Sequence, residues 1–164
     1  MDFIIGLTKP KGHNVIMVVV YCLTKYAHFI ALSYPFKESI VAKNFLENIQ
    51  KIHGTTKVIV IDRDPIFTSH FWKDLFSCLG TQLDHSSSYH PQLDGKNEVV
   101  NECLEGYLHF FTSEKQSQWV DWLPLAEWWY NTSFHNSSKM SPFLALYVYH
   151  PTSITSSSKV SPRV

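Results

Sequence analysis

Asp62 and Glu98 are the two residues of this chain whose types and spacing best support chemistry. Asp62 ends the apolar run Val58-Ile59-Val60-Ile61, the pattern of a buried strand, and Glu98 stands at a helix start after the breakers Pro91 and Asp94-Gly95. Thirty-five residues lie between them. A strand carries its terminal carboxylate to the edge of a sheet, and a helix beginning beside that edge points a second carboxylate at it. Two converging carboxylates make a hard oxygen site for Mg²⁺. A pair of such ions across a phosphodiester activates a nucleophile and stabilises a leaving oxygen without covalent catalysis by the protein. Asp2, in the strand-like Asp2-Phe3-Ile4-Ile5, is a third carboxylate that one sheet could bring to the same place. The expectation is metal-dependent phosphoryl transfer.

Each of these residues also has a plainer reading. Asp62 with Asp64-Pro65 suits a turn, since Asp bonds its own backbone there. Glu98 suits a first helical turn, where the helix dipole favours an acid. His85 and His90 lack the spacing of metal ligands and read as polar loop residues. Trp72, Trp119, Trp122, Trp128 and Trp129 could stack on bases, but at helical spacing among Leu and Phe they read as core. Lys96 is the best single candidate for a phosphate contact.

The totals narrow the classes. Fourteen basic and fourteen acidic residues cancel to a net charge of zero, so a nucleic-acid function has to rest on a local site and not on bulk charge. With 164 residues, 15% aromatic and 17% charged, the composition is that of one folded domain. Cys22, Cys78 and Cys103 are odd in number and widely spaced, which indicates neither a disulfide framework nor a zinc knuckle, and a reducing compartment is expected. No stretch has the length of a membrane span, and the first residues do not read as a signal peptide. The chain opens abruptly inside a strand pattern, and a first strand shortened at its N-terminal side is expected.

The elements that must position the carboxylates follow from periodicity. Residues 2–5, Asn14–Tyr21 and Tyr26–Ser33 read as strands in an antiparallel meander, the second apolar enough to be covered on both faces. Lys37–His53 reads as an amphipathic helix closed by Gly54. The strand Lys57–Asp62 follows, then a helix capped by Thr68 or Ser69 and ended by Gly80, then a short strand Thr81–His85. Ser86–Gly95 reads as a loop. A helix carrying Val100, Leu104, Tyr107, Leu108 and Phe111 comes next. Another, from Trp119 to about Phe134, carries Trp122, Leu125, Ala126 and Trp129, and a short one is capped by Ser141. The domain is expected to span residues 1–150, with a disordered Ser/Thr-rich tail over 151–164.

Several segments together resemble a known family. Met1-Asp2-Phe3-Ile4, Leu23-Thr24-Lys25-Tyr26-Ala27-His28-Phe29, Asp62-Arg63-Asp64-Pro65-Ile66-Phe67, Tyr89-His90-Pro91-Gln92-Leu93-Asp94-Gly95, Glu98-Val99-Val100-Asn101 and Trp122-Leu123-Pro124-Leu125-Ala126-Glu127 through Tyr130-Asn131-Thr132 look like the catalytic core of retroviral and retrotransposon integrases, in the gypsy-type LTR retrotransposon branch. The spacing of Asp62 and Glu98 equals that of the family's second and third catalytic acids. The resemblance implies an α/β, ribonuclease-H-like fold with a five-stranded mixed sheet flanked by helices. It implies Asp2, Asp62 and Glu98 as catalytic acids and metal ligands for two Mg²⁺ or Mn²⁺ ions, with Gln92 and Lys96 approaching DNA. The implied reactions are 3′-end processing and strand transfer. The implied partners are retrotransposon ends, target DNA and further copies of the chain, with no membrane, in the nucleus. Tyr21-Cys22 stands where the branch typically has Asp-Arg, and Glu102 where a basic residue is common. The competing expectation is a catalytically decayed module that keeps the fold for nucleic-acid binding or dimerisation.

Overall fold

A computed structural model of the chain describes residues 1–61, 70–85, 91–112 and 118–152, with backbone alone for 85, 91–98 and 111. Three strands form the expected antiparallel meander: β1 (Asp2–Ile4), β2 (Val15–Val20) and β3 (Ala27–Leu32). β2 sits in the middle, pairing Asp2 with Val18 on one side and Val20 with Ala27 on the other. Its alternation explains why both faces are apolar. Val15, Met17 and Val19 enter a core with Phe45, Ile49, Trp72 and Phe76, while Ile16 and Val18 enter a second core with Leu104, Trp119, Leu123 and Tyr130. The sheet is therefore covered by helices on both sides.

The expected amphipathic helix is present as α1 (Glu38–Phe45), a π turn over Leu46–Gln50 and α2 (Lys51–His53). Gly54, at φ 77°, ends it in a conformation that glycine adopts without steric cost. β4 (Val58–Ile61), α3 (His70–Cys78) and β5 (Gln82–His85) form a parallel β-α-β unit, in which α3 buries Trp72 stacked on Phe76. Then come α4 (Pro91–Thr112), α5 (Trp119–Thr132) and α6 (Pro142–Tyr147). The hydroxyl of Ser141 accepts from the Leu144 amide and caps α6, as its sequence predicts.

Three expectations need correction. The described residues form a three-stranded antiparallel sheet and a two-stranded parallel one, not a single five-stranded sheet. β1 is three residues long, and beside β4 the Met1 ammonium donates to the Val60 carbonyl at 2.7 Å without a ladder among the described residues. Second, the chain is already helical at Pro91, so the expected loop does not extend to Gly95. Proline at a first helical position gives up a donor that has no partner there anyway, and Asp94 suits the first turn. Gly95 costs about 1 kcal/mol relative to alanine, which a long packed helix absorbs. Third, α5 buries Trp119, Leu123, Ala126 and Tyr130, whereas Leu125 and Trp129 lie on its exposed side. Trp129 stacks on Tyr107 at the surface and is not core. Pro124 leaves α5 intact, as expected. Residues 153–164, and with them most of the expected tail, lie outside the described residues.

Candidate functional site

Asp2 lies on β1, beside the end of β4. Its Oδ1 accepts the Phe3 amide at 2.8 Å, and its Oδ2 accepts the Asn101 side-chain amide at 2.7 Å. Asn101 belongs to α4, so this second bond ties the first strand to the helix that carries Glu98. Asn101 comes three positions after Glu98 along α4, about one helical turn. The Asn101 carbonyl Oδ1 is buried without a hydrogen-bond partner. The Met1–Val60 bond sets β4, which ends at Ile61, beside β1.

Asp2 and the backbone of Glu98 are thus brought to one region. Asp62 lies outside the described residues. Gln92, Lys96 and Glu98 are all on α4, so Gln92 belongs to a helix and not to the loop expected over Ser86–Gly95, and Lys96 and Glu98 stand inside α4 and not at its start. His85 ends β5, and His90 lies outside the described residues. Among the described residues no group of three His, Cys, Asp or Glu side chains converges as metal ligands. A divalent ion still fits what is seen of Asp2. Each of its oxygens makes one hydrogen bond and keeps a lone pair, the carboxylate is partly exposed, and hard oxygen donors suit Mg²⁺. Sequence reasoning assigned no role to Asn101. The signal that finds it is its position one turn beyond Glu98.

Two of the segments that carry the family resemblance meet elsewhere, at the outer edge of β3. Asn131 accepts the Ala27 N–H through Oδ1 at 2.9 Å and donates from Nδ2 to the Ala27 carbonyl at 2.8 Å, so one side chain pairs with the strand as a neighbouring strand would. One helical turn earlier, Glu127 Oε2 accepts the Phe29 N–H at 2.8 Å, and its Oε1 faces His28 Nδ1 at 3.1 Å. A carboxylate only accepts, so Nδ1 of His28 carries the proton. His28 Nε2 lies 2.8 Å from His53 Nε2, where one ring donates and the other accepts. The His53 pKa is lowered by burial first and by His28 second, against the pull of Glu127. Burial, then Tyr147 and Glu127, raises that of the neighbouring Tyr26. These residues close the sheet edge and do not build the acidic site.

Solved structures of similar shape define the class. The simian T-cell lymphotropic virus intasome, determined in complex with PP2A regulatory subunit B56 gamma, aligns over 99% of this chain and 59% of its own with a TM-score of 0.73 and 17% identity. The catalytic core domain of BIV integrase aligns over 90% of this chain and 94% of its own, at TM-score 0.65 and 22% identity. The chain has the ribonuclease-H-like α/β fold of integrase catalytic cores.

Sequence relatives make the assignment more particular. The Tf2-3 and Tf2-4 transposon polyproteins of Schizosaccharomyces pombe are each 32% identical over 151 residues, 92% of this chain. The chain belongs to the integrase-core region of gypsy-type LTR-retrotransposon polyproteins. It spans 11% of the length of these relatives. No protein-family model matches it.

Proposed function

We propose that this chain is the catalytic core of a retrotransposon integrase, acting in metal-dependent 3′-end processing and strand transfer on retrotransposon ends and target DNA, in the nucleus and as a homo-oligomer. The observation that carries this reading is the bond from Asn101 to Asp2, which couples an acid on the first strand to the helix bearing Glu98 while the end of β4 lies alongside. Asp2, Asp62 and Glu98 would hold two Mg²⁺ or Mn²⁺ ions. Bound there, the ions supply charge stabilisation to the attacking and leaving oxygens of a phosphodiester. Asn101 orients the Asp2 carboxylate through Oδ2. Gln92 and Lys96, on the first turns of α4, approach the DNA backbone.

Calorimetric titration of the chain with Mg²⁺ and Mn²⁺, with Glu98→Gln beside it, tests the assembled site. Binding that Glu98→Gln abolishes supports it, and Asp62→Asn and Glu98→Gln then eliminate DNA strand joining with little loss of stability, because unmetallated carboxylates repel one another. Strand joining unchanged in both variants removes them from the mechanism. Net charge zero favours a second reading, a decayed module that keeps the fold for nucleic-acid binding or dimerisation. A folded chain that binds neither ion, with or without DNA, selects that reading.

A further inference from the structure

The closure of the outer β3 edge by α5 stops halfway along the strand. The Tyr21 amide donates to the Tyr26 carbonyl, so alternation directs the main-chain groups of His28 and Ile30 to β2 and those of Ala27, Phe29 and Ala31 outward. Asn131 takes both groups of Ala27, and Glu127 takes the Phe29 N–H. The Phe29 carbonyl and the N–H and carbonyl of Ala31 have no partner among the described residues. They border a groove of about 410 Å³, walled by Asn44 and Asn48 of α1 and by Val120, Pro124 and Glu127 of α5.

The chemistry of this groove is one-sided. Among the described residues its lining holds one charged side chain, Glu127, and no lysine or arginine. The Glu127 side chain is 26% exposed, and each of its oxygens makes one hydrogen bond and keeps a lone pair. Tyr26 and Trp128 add aromatic rings to the lining, and a cation is favoured over such a ring. On the other wall, Asn44 and Asn48 each donate from Nδ2 to a carbonyl of their own helix, at 2.9 and 2.8 Å, and keep Oδ1 as an acceptor. A guest that brings a positive charge and main-chain donors therefore meets complementary groups on every side.

We propose that this groove binds an extended, basic segment of a partner protein as an added strand antiparallel to β3. One guest residue exchanges both main-chain bonds with Ala31, and the guest residue two positions later donates its N–H to the Phe29 carbonyl. Phe29 and Ala31 pack into the core beneath α5, whereas Ile30 packs toward α1, so guest side chains opposite Phe29 and Ala31 point to the α5 wall. α5 passes Ala27 with Asn131 and Phe29 with Glu127, and its earlier turns, with Pro124 and Val120, continue toward Ala31. The guest residue opposite Ala31 is accordingly apolar, and the one opposite Phe29 is an arginine or lysine whose head reaches Glu127. β2 separates this edge from β1 and Asp2, and the inference is independent of any catalytic activity.

Peptides titrated into the whole chain test it, with amide exchange followed by NMR. The acetylated and amidated peptide Thr-Val-Thr-Arg-Thr slows exchange at the Ala31 amide by roughly tenfold or more at saturation and leaves the Ile30 amide, which already faces β2, unchanged. Glutamate in place of the arginine, or an N-methyl group on the arginine main-chain nitrogen, weakens binding by about tenfold or more, through a repelled charge in one case and a lost donor to the Phe29 carbonyl in the other. Glu127→Gln lowers affinity for the arginine peptide by a similar factor and keeps the acceptor for the Phe29 amide. Equal binding of the arginine and glutamate peptides, or an Ala31 amide that no peptide protects, overturns the proposal. Protection that arises without peptide and grows with protein concentration overturns it too, by assigning the edge to a second copy of the chain.

Discussion

The outer edge of β3 and the inner edge of β1 face the same problem, an unpaired row of main-chain groups, and the chain meets it differently at each. At β3, α5 lays Glu127 and Asn131 along the strand, and the two side chains take up the Ala27 and Phe29 amides and the Ala27 carbonyl. At β1, main chain meets main chain, where the Met1 ammonium donates to the Val60 carbonyl of β4. The first edge is held by three side-chain bonds. The second carries Asp2. The β3 edge is closed at Ala27 and Phe29 by side chains of α5, whereas the β1 edge meets β4 through the main chain. Local stability is expected to follow the same division, high along β3 and α5 and low where β1 meets β4.

The sharpest way to break this comparison is to remove the side chain that imitates a strand. Asn131 is 1% exposed and Ala27 fully buried. Asn131→Ala leaves the Ala27 N–H and C=O without partners, at about 1–3 kcal/mol for each buried group, for a total of roughly 2–6 kcal/mol by urea denaturation. A loss under about 1 kcal/mol would mean that water replaces the amide and that the β3 edge is not specially held. Glu127→Gln is milder. It keeps an acceptor for the Phe29 amide and loses the charge that faces His28, a difference of about 1 kcal/mol between charged and neutral hydrogen bonds.

How far the sequence disclosed these two edges depends on the range of the interactions involved. Asp2, the meander and the two-faced burial of β2 are legible because a period of two is a local signal, and the run from Val15 to Val20 has no polar residue to obscure it. The bonds of Glu127 and Asn131 to β3 span about a hundred residues of sequence and leave no local trace. On α5 the pattern misleads. Trp122, Leu125 and Trp129 are as apolar as Trp119, Leu123 and Tyr130, so a helix that is apolar nearly all round does not announce its buried face. At Pro91 the residue type suggests a breaker, although proline at the first helical position breaks nothing. Asn101 was legible only once Glu98 was taken seriously, because its meaning is that it lies one turn away on the same face.

The β3 edge should also respond to pH through His53. Its pKa in the folded chain is lowered from the ordinary 6.5, so the unfolded chain takes up a proton more readily than the folded one. Stability is then fully present above pH 6.5 and declines as pH falls through that value toward the depressed folded pKa. Denaturation followed from pH 7.5 downward should show this decline, with a flatter profile in His53→Gln. Identical profiles in the two chains would take His53 out of the coupling.

The smallest effect is expected at the other edge, from Asn101→Ala. The substitution removes the bond to Asp2 Oδ2, but that carboxylate is partly exposed and water can replace the lost donor, so the cost is under about 1 kcal/mol. It also removes the Asn101 carbonyl, a buried acceptor with no partner, and that loss is favourable. The two contributions oppose, and the net change in stability should lie within about 0.5 kcal/mol of zero. A destabilisation as large as that of Asn131→Ala would erase the difference between the edges and make Asn101 a structural post of the acidic side. A near-zero change accompanied by weaker Mg²⁺ binding would sharpen it, because a residue that contributes nothing to folding yet orients Asp2 is placed there for the ligand.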